Sequence, residues 1–234
     1  MHYRTLLLDL DGTILDFDRS ESEAIRQTLS QYQLPITDEW IACYHQINDN
    51  LWKQLERGEI SKQDLRHDRF SRLLEHFGVE RDAYAMADTY LDELSSRAYF
   101  LPGALEACRE LSQRHRLYII TNGIAYVQHR RLAQLPWQGC IEKSYISEEI
   151  GYEKPDVRYF HAVLKDIPIS DLSTALVVGD SLTSDMAGGI NAGLDTCWIN
   201  PNKRPIPEQM NITFSVSSIT ELADLLVRNE DARL

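Results

Sequence analysis

The sequence predicts a doubly wound α/β core whose parallel sheet is interrupted, after its first strand, by an all-helical insertion. Three observations lead there. Short apolar runs alternate with helical segments from about residue 99 onward, the pattern of a parallel sheet with helices on both faces. An isolated apolar run, Leu6-Leu7-Leu8, stands near the N-terminus and reads as a strand buried on both sides. Between the two lies a long helical stretch with almost no β-branched runs.

The N-terminal strand ends abruptly in Asp9-Leu10-Asp11-Gly12-Thr13. Carboxylates at the end of a buried strand are costly to ionise unless something compensates them. In an open α/β sheet that something is a ligand or metal at the strand's carboxyl end, although a turn at Asp11-Gly12 and a loop cap at Asp9 are the plain alternative. Four helices follow, over roughly 20–33, 38–57, 62–77 and 80–98, with Ser20/Glu23 and Ser61/Asp64 at capping-box spacing and Thr37 as a third cap. Gly58 and Gly78 are placed to end helices. Trp40, Ile41, Tyr44, Ile47, Leu51 and Leu55 recur at helical spacing, a stripe that reads as packing core. After the turn at Leu101-Pro102-Gly103 the expected order is helix (roughly 104–114), strand (117–120), helix (124–134), weak strand (143–146) and helix (156–166). Strand (roughly 175–178), helix (184–192), strand (196–199), strand (213–216) and a final helix capped by Ser218 and Glu221 complete it. The boundaries this implies are a core of residues 1–15 and 99–234, with 16–98 as the helical insertion.

The 234 residues suffice for one large domain or two smaller ones. A formal net charge of -12 argues against a nucleic acid polymer or an anionic membrane as partner. It leaves room for a small anionic substrate held by a local cation. Cys43, Cys108, Cys140 and Cys197 are scattered, which suits reduced thiols rather than a disulfide frame or a zinc site. With no run resembling a signal peptide or a bilayer span, the expectation is a cytoplasmic protein.

Four strand ends carry polar residues, and in such a sheet they converge on one rim. They supply Asp9 and Asp11, Thr121-Asn122-Gly123, Lys154 just before Pro155, and Gly179-Asp180-Ser181 with Asp185 in the next turn. Each has a plain alternative. Thr121-Asn122-Gly123 could be a cap and turn, Lys154 a solvated lysine before a helix opening at Pro155, and Asp180 and Asp185 a turn and a helix-dipole partner. Gly188, Gly189 and Gly193 let their helix pack closely on the sheet. Taken together, four aspartates on one rim repel, two like charges ~4 Å apart costing about 4 kcal/mol at an effective dielectric near 20. A hard divalent cation such as Mg²⁺ removes that penalty. With one lysine and the Thr121 and Asn122 donors opposite, the set describes a pocket for a phosphoryl group. No Gly-x-x-x-x-Gly-Lys-Ser/Thr loop is present, so the chain is not a P-loop nucleotide triphosphatase.

Asp9-Leu10-Asp11-Gly12-Thr13, Thr121-Asn122, Lys154 and Gly179-Asp180 with Asp185 resemble, in order, the four motifs of the haloacid dehalogenase superfamily, and the helical stretch resembles its inserted cap. The resemblance implies a Rossmann-like core with Asp9 as nucleophile forming an aspartyl-phosphate, and Asp11 as general acid and then base. It implies Thr121, Asn122 and Lys154 around the phosphoryl group. Mg²⁺ would be held by Asp9, the Asp11 carbonyl and Asp180, with Asp185 as ligand or just behind. An aspartate at position 11 implies phosphomonoester hydrolysis or a sugar-phosphate mutase rather than carbon–halogen cleavage, since a halide leaving group needs no proton. Leu51-Trp52, Gly58-Glu59-Ile60, Arg69-Phe70, Ser147-Glu148-Glu149-Ile150-Gly151 and the segment from Gly188 to Gly193 are similar to bacterial pyrimidine 5′-nucleotidases of the YjjG type. That implies a nucleoside monophosphate, non-standard pyrimidines included, as substrate. Phe17 and Trp52 are candidate aromatic faces for the base, with simple packing of the helical insertion as the plain alternative. Another small-metabolite or sugar-phosphate phosphatase, a phosphoglucomutase-like enzyme and a phosphate-sensing regulatory module are the alternatives.

Overall fold

The computed structural model describes residues 3–137 and 139–231; the ends of the expected core range, residues 1–2 and 232–234, lie outside them. The chain divides into two compact units, one of Met1–Asp16, Tyr99–Ala125 and Leu135–Leu234, the other of Phe17–Ala98 and Tyr126–Gln134.

The first unit is built on a sheet of six strands: β1 (Thr5–Leu8), β2 (Arg116–Thr121), β3 (Ile141–Ile146), β4 (Ala175–Gly179), β5 (Asp195–Ile199) and β6 (Phe214–Val216). All are parallel, in the order β3-β2-β1-β4-β5-β6. β1, with all four residues buried, therefore sits between β2 and β4. The chain winds outward on one side through β3 and returns to wind outward on the other. This reversal opens a crevice at the carboxyl ends of β1, β2 and β4, where α/β proteins bind ligands. One face is packed by Leu7, Tyr118, Ile120, Val177, Tyr159, Phe160 and Val163.

The helices of the second unit are α1 (Phe17–Gln31), α2 (Asp38–Glu56), α3 (Lys62–Phe77) and α4 (Ala83–Ser95), joined by α6 (Ala125–Gln134). Thr37 caps α2 through the Trp40 N–H, Ser61 and Asp64 form the expected capping box, and Gly78 ends α3 with a left-handed φ of 62°. Ser20 does not cap. α1 starts three residues earlier, leaving Ser20 fully buried within the helix and Glu23 paired with Arg19 one turn back. α4 is shorter than the apolar pattern suggests because Asp82 accepts from the Tyr84 and Ala85 N–H groups and starts it there.

The remaining helices, all of the first unit, are α5 (Ala104–Ser112), α7 (Ser147–Ile150), α8 (Val157–Asp166), α9 (Ala187–Asn191) and α10 (Ile219–Asp231). α8 opens at Val157 behind an Asp156 cap rather than at Pro155, whose bond to Lys154 is cis. The expected helix over 184–192 is divided into a wide π turn, Leu182–Met186, and the short α9. A Cβ on Gly188 would lie 2.4 Å from the Phe160 ring and one on Gly189 2.7 Å from Thr196, so both permit close packing. Gly193 meets nothing; its φ of +72° serves the turn into β5 instead. No helix among the described residues is long and apolar enough to cross a membrane.

Candidate active site

The crevice gathers what the strand ends supply. Asp9 follows β1 directly, its N–H donating to the Val178 carbonyl of β4 at 2.8 Å, which fixes its carboxylate beside the end of that neighbour. The chain then doubles back, Gly12 N–H to Leu15 O at 2.9 Å. Gly12 is required there twice over. Its φ is +79°, and a Cβ would lie 2.5 Å from Asp180 Oδ2.

Lys154 is 2% exposed, so it is not a solvated lysine. Its Nζ donates to Asp9 Oδ1 at 2.7 Å, Asp185 Oδ1 at 2.6 Å and the Ile120 carbonyl at 3.1 Å. Three acceptors match the three protons of an ammonium. Burial pulls its pKa down, but the carboxylates of Asp185 and Asp9 outweigh that and hold it above the ordinary lysine value. Its backbone is fixed from the end of β2: Asn122 Nδ2 donates to Lys154 O at 2.8 Å, and Lys154 N–H donates to Asn122 Oδ1 at 2.9 Å. The Asn122 amide is thereby engaged on the lysine's main chain. Thr121, buried at the end of β2, accepts from the Gly123 N–H at 3.0 Å.

Beyond β4, Asp185 is 1% exposed. Besides Lys154 it accepts from the Ser181 N–H through Oδ2 at 3.1 Å, while Ser181 Oγ accepts from Ser184 N–H and holds the π turn that aims it. A Cβ on Gly179 would fall 2.2 Å from Asp185 Oδ2. Gly179→Ala therefore cannot keep this geometry, and activity is expected to fall at least about tenfold with a loss of roughly 1–3 kcal/mol in stability. Paired kinetics and urea unfolding check this. Asp180 is held from behind, its carbonyl accepting from Trp198 Nε1 at 2.9 Å. Sequence reasoning placed Ser181 on the rim without giving it a role, and missed Trp198. The signal for Trp198 was an indole in a strand expected to be buried, whose N–H needs a partner.

Oxygens of Asp9, Asp180 and Asp185 lie within 4.8 Å of one another. One lysine faces these three carboxylates, and the mismatch shows at Asp9 and Asp180. Burial first, with Asp185 and Asp180 nearby, drives the Asp9 carboxyl well above its ordinary range despite Lys154. Burial and Asp185 push Asp180 from 3.8 to about 7. Such a group of hard oxygen donors with surplus negative charge suits a divalent cation. Asp11, half-buried and bridged to Leu15, completes the polar residues of the loop after β1.

The model of the haloacid dehalogenase-like hydrolase family matches residues 3–193. The chain belongs to that family. It is 39% identical over 230 residues to the pyrimidine 5′-nucleotidase PynA of Streptococcus pneumoniae, covering 98% of this chain and 97% of the relative. To the pyrimidine 5′-nucleotidase YjjG of Escherichia coli it is 32% identical, covering 98% and 100%. Among solved structures, the HAD-hydrolase YfnB of Bacillus subtilis, bound to magnesium, superposes with a TM-score of 0.91 at 36% identity over 97% of this chain and 99% of its own. The family assignment agrees with the order in which this hydrolase presents its polar strand ends. Phe17 and Trp52 both fall in the helical unit. Phe17 opens α1 with the Arg131 guanidinium 5.9 Å from its ring centroid, and Trp52 packs against the cluster of Leu51, Leu55 and Leu65.

Proposed function

We propose that this hydrolase is a Mg²⁺-dependent phosphomonoesterase acting through an aspartyl-phosphate at Asp9, with pyrimidine nucleoside monophosphates as substrates. The observation that carries the reading is the placement of Asp9 at the head of the crevice, against Lys154 and beside Asp180 and Asp185. The identity of about a third to two fifths, along the whole chain, with two pyrimidine 5′-nucleotidases supports the substrate class.

Asp9, the Asp11 carbonyl and Asp180 would hold the cation. Asp185, whose two oxygens already serve Lys154 and Ser181, anchors the lysine from behind. When bound, Mg²⁺ supplies positive charge to the phosphoryl oxygens. An Asp9 carboxylate oxygen attacks phosphorus, forming the acyl-phosphate O–P bond as the ester P–O bond breaks. Asp11 gives its proton to the leaving alkoxide, then takes one from the water that attacks the acyl-phosphate and releases inorganic phosphate. Lys154, kept cationic, offsets charge on the transferring group. Asn122 keeps the lysine in position through its main chain. Phe17 and Trp52 are the candidates for aromatic contact with the base.

A panel of phosphomonoesters with Mg²⁺ tests this: dUMP, dTMP, UMP, purine monophosphates and sugar phosphates. Fastest release is expected from the pyrimidine nucleotides. Equal rates on every ester would remove the nucleotidase assignment, and no release from any would remove the phosphatase.

The carboxylates also predict a pH dependence. Asp180 binds its proton more tightly folded than unfolded, so the metal-free fold gains from protonation below about pH 4 and loses that gain as pH rises through about 7. With EDTA, Tm is expected to drop by roughly 5–10 °C between pH 5 and pH 8. Saturating Mg²⁺ should restore most of the loss, because the cation stabilises the ionised carboxylates. Identical Tm profiles with and without Mg²⁺ would contradict the metal assignment.

A further inference from the structure

The run Ser147-Glu148-Glu149-Ile150-Gly151, marked out in the sequence, has no part in the chemistry above. Its first four residues form α7, directly after β3, and from there Glu148 reaches the start of α6. Glu148 Oε2 accepts from the Ala125 N–H, the first of that helix, at 2.6 Å. A helix leaves its leading N–H groups without partners of its own. α6 has nothing local to offer them. Gly123 and Ile124 before it carry no acceptor, the Asn122 amide is engaged on Lys154, and its first turn holds no acid. The Glu148 carboxylate, at the positive end of the helix dipole, takes that place from another element.

The same stretch of chain is fixed a second time. Six residues beyond Glu148, the Lys154 N–H and carbonyl are both bonded to the Asn122 side chain, at 2.9 and 2.8 Å. Between the two attachments Gly151, with a φ of +83°, ends α7, its N–H donating to Ser147 O at 2.9 Å. The segment from Glu148 to Lys154 and the turn from Thr121 to Ala125 therefore hold each other at both ends. Within the clamp the turn closes on itself, Gly123 N–H donating to Thr121 Oγ1 at 3.0 Å. Ala125 lies three residues after Asn122, so loosening the start of α6 loosens the side chain that fixes the lysine backbone.

We propose that Glu148 is a positioning residue for phosphoryl binding. Through its bond to Ala125 it keeps the turn after β2, and by way of Asn122 the main chain of Lys154, in register. The inference rests on the phosphomonoesterase reading above and deepens it. The sign of the effect sets positioning apart from charge. A carboxylate near an anion site repels the anion, so removing the charge alone would tighten phosphate binding. Losing the hydrogen bond while the charge stays should weaken it.

Two variants separate reach from charge. Glu148→Asp keeps the charge and withdraws the oxygen by one methylene, whereas Glu148→Gln keeps an acceptor at full reach and drops the charge. Calorimetric titration of inorganic phosphate into each protein, with Mg²⁺ present, needs no turnover. Glu148→Asp is expected to bind phosphate about tenfold more weakly than the wild type, and Glu148→Gln to within about twofold of it or more tightly. KM for dUMP should follow the same pattern. Wild-type phosphate affinity in Glu148→Asp, the outcome for a cap that only stabilises the fold, would overturn the proposal. So would Glu148→Gln binding phosphate no better than Glu148→Asp, or a wild-type protein that binds none. A wild-type protein that binds phosphate but releases it from no ester would count against the phosphatase reading alone, and the two variants would still decide the role of Glu148.

Discussion

Asp9→Asn is expected to lower kcat by about 10⁴-fold or more, because the amide has the volume of the carboxylate but no oxygen able to form the acyl-phosphate. The same variant should not lose stability. Burial already drives the Asp9 carboxyl toward its neutral form in the metal-free protein, so a neutral isostere removes an electrostatic cost rather than a support. Without Mg²⁺, its Tm at neutral pH should match or exceed that of the wild type, whereas the gain on adding Mg²⁺ should shrink. Loss of activity together with a large fall in Tm would indicate a structural role for Asp9 instead. Stopped assays with dUMP and thermal melts with and without Mg²⁺ provide both readouts.

Lys154→Met should have the next largest effect, and here stability and activity fall together. The ammonium is the only cation bonded to Asp9 and Asp185 among the described residues, and all three are buried. Removing it leaves the buried Asp185 side chain without its cation and the Asp9 carboxyl without its donor, and loss of one partner from a buried ion pair costs about 3–5 kcal/mol. Methionine fills a similar volume, so the loss would be electrostatic rather than a cavity effect. It should therefore diminish as pH falls and the Asp9 carboxyl, which burial already holds well above its ordinary range, takes up its proton. Turnover should fall by about 10³-fold or more through loss of charge on the transferring group. Urea unfolding at pH 5 and pH 8 separates this from simple misfolding, which would show no such pH dependence.

Much of this architecture was legible in the residues themselves, for identifiable reasons. Strands buried on both faces leave continuous apolar runs, and those before Asp9, Thr121 and Gly179 all stand where expected. The rim also follows from order alone, since parallel strands deliver their carboxyl ends to one side. What escaped is what tertiary contacts decide. Ser20 carries a capping signature, yet α1 begins before it. The π turn that aims Asp185 is set by Ser181 and the glycine at 179, a local distortion with no periodic signal. The engagement of Asn122 on the lysine backbone requires knowing that the ends of β2 and the segment before α8 meet. Glu21, a charged residue at the expected start of an amphipathic helix, gave no hint of being buried with Asn48 and His45. Single residues announce their chemistry; the partners that select among its uses come from elsewhere in the chain.

The central claim is a covalent phosphoryl intermediate on one named side chain. It is tested most directly by acid-quenching the enzyme during turnover of dUMP with Mg²⁺, reducing with borohydride, and mapping the peptides by mass spectrometry. The account predicts that the peptide containing residue 9 carries homoserine in place of aspartate, the product of reducing an acyl-phosphate there, and that Asp9→Asn gives none. Reduction at a different carboxylate would contradict it, as would steady turnover with position 9 never modified.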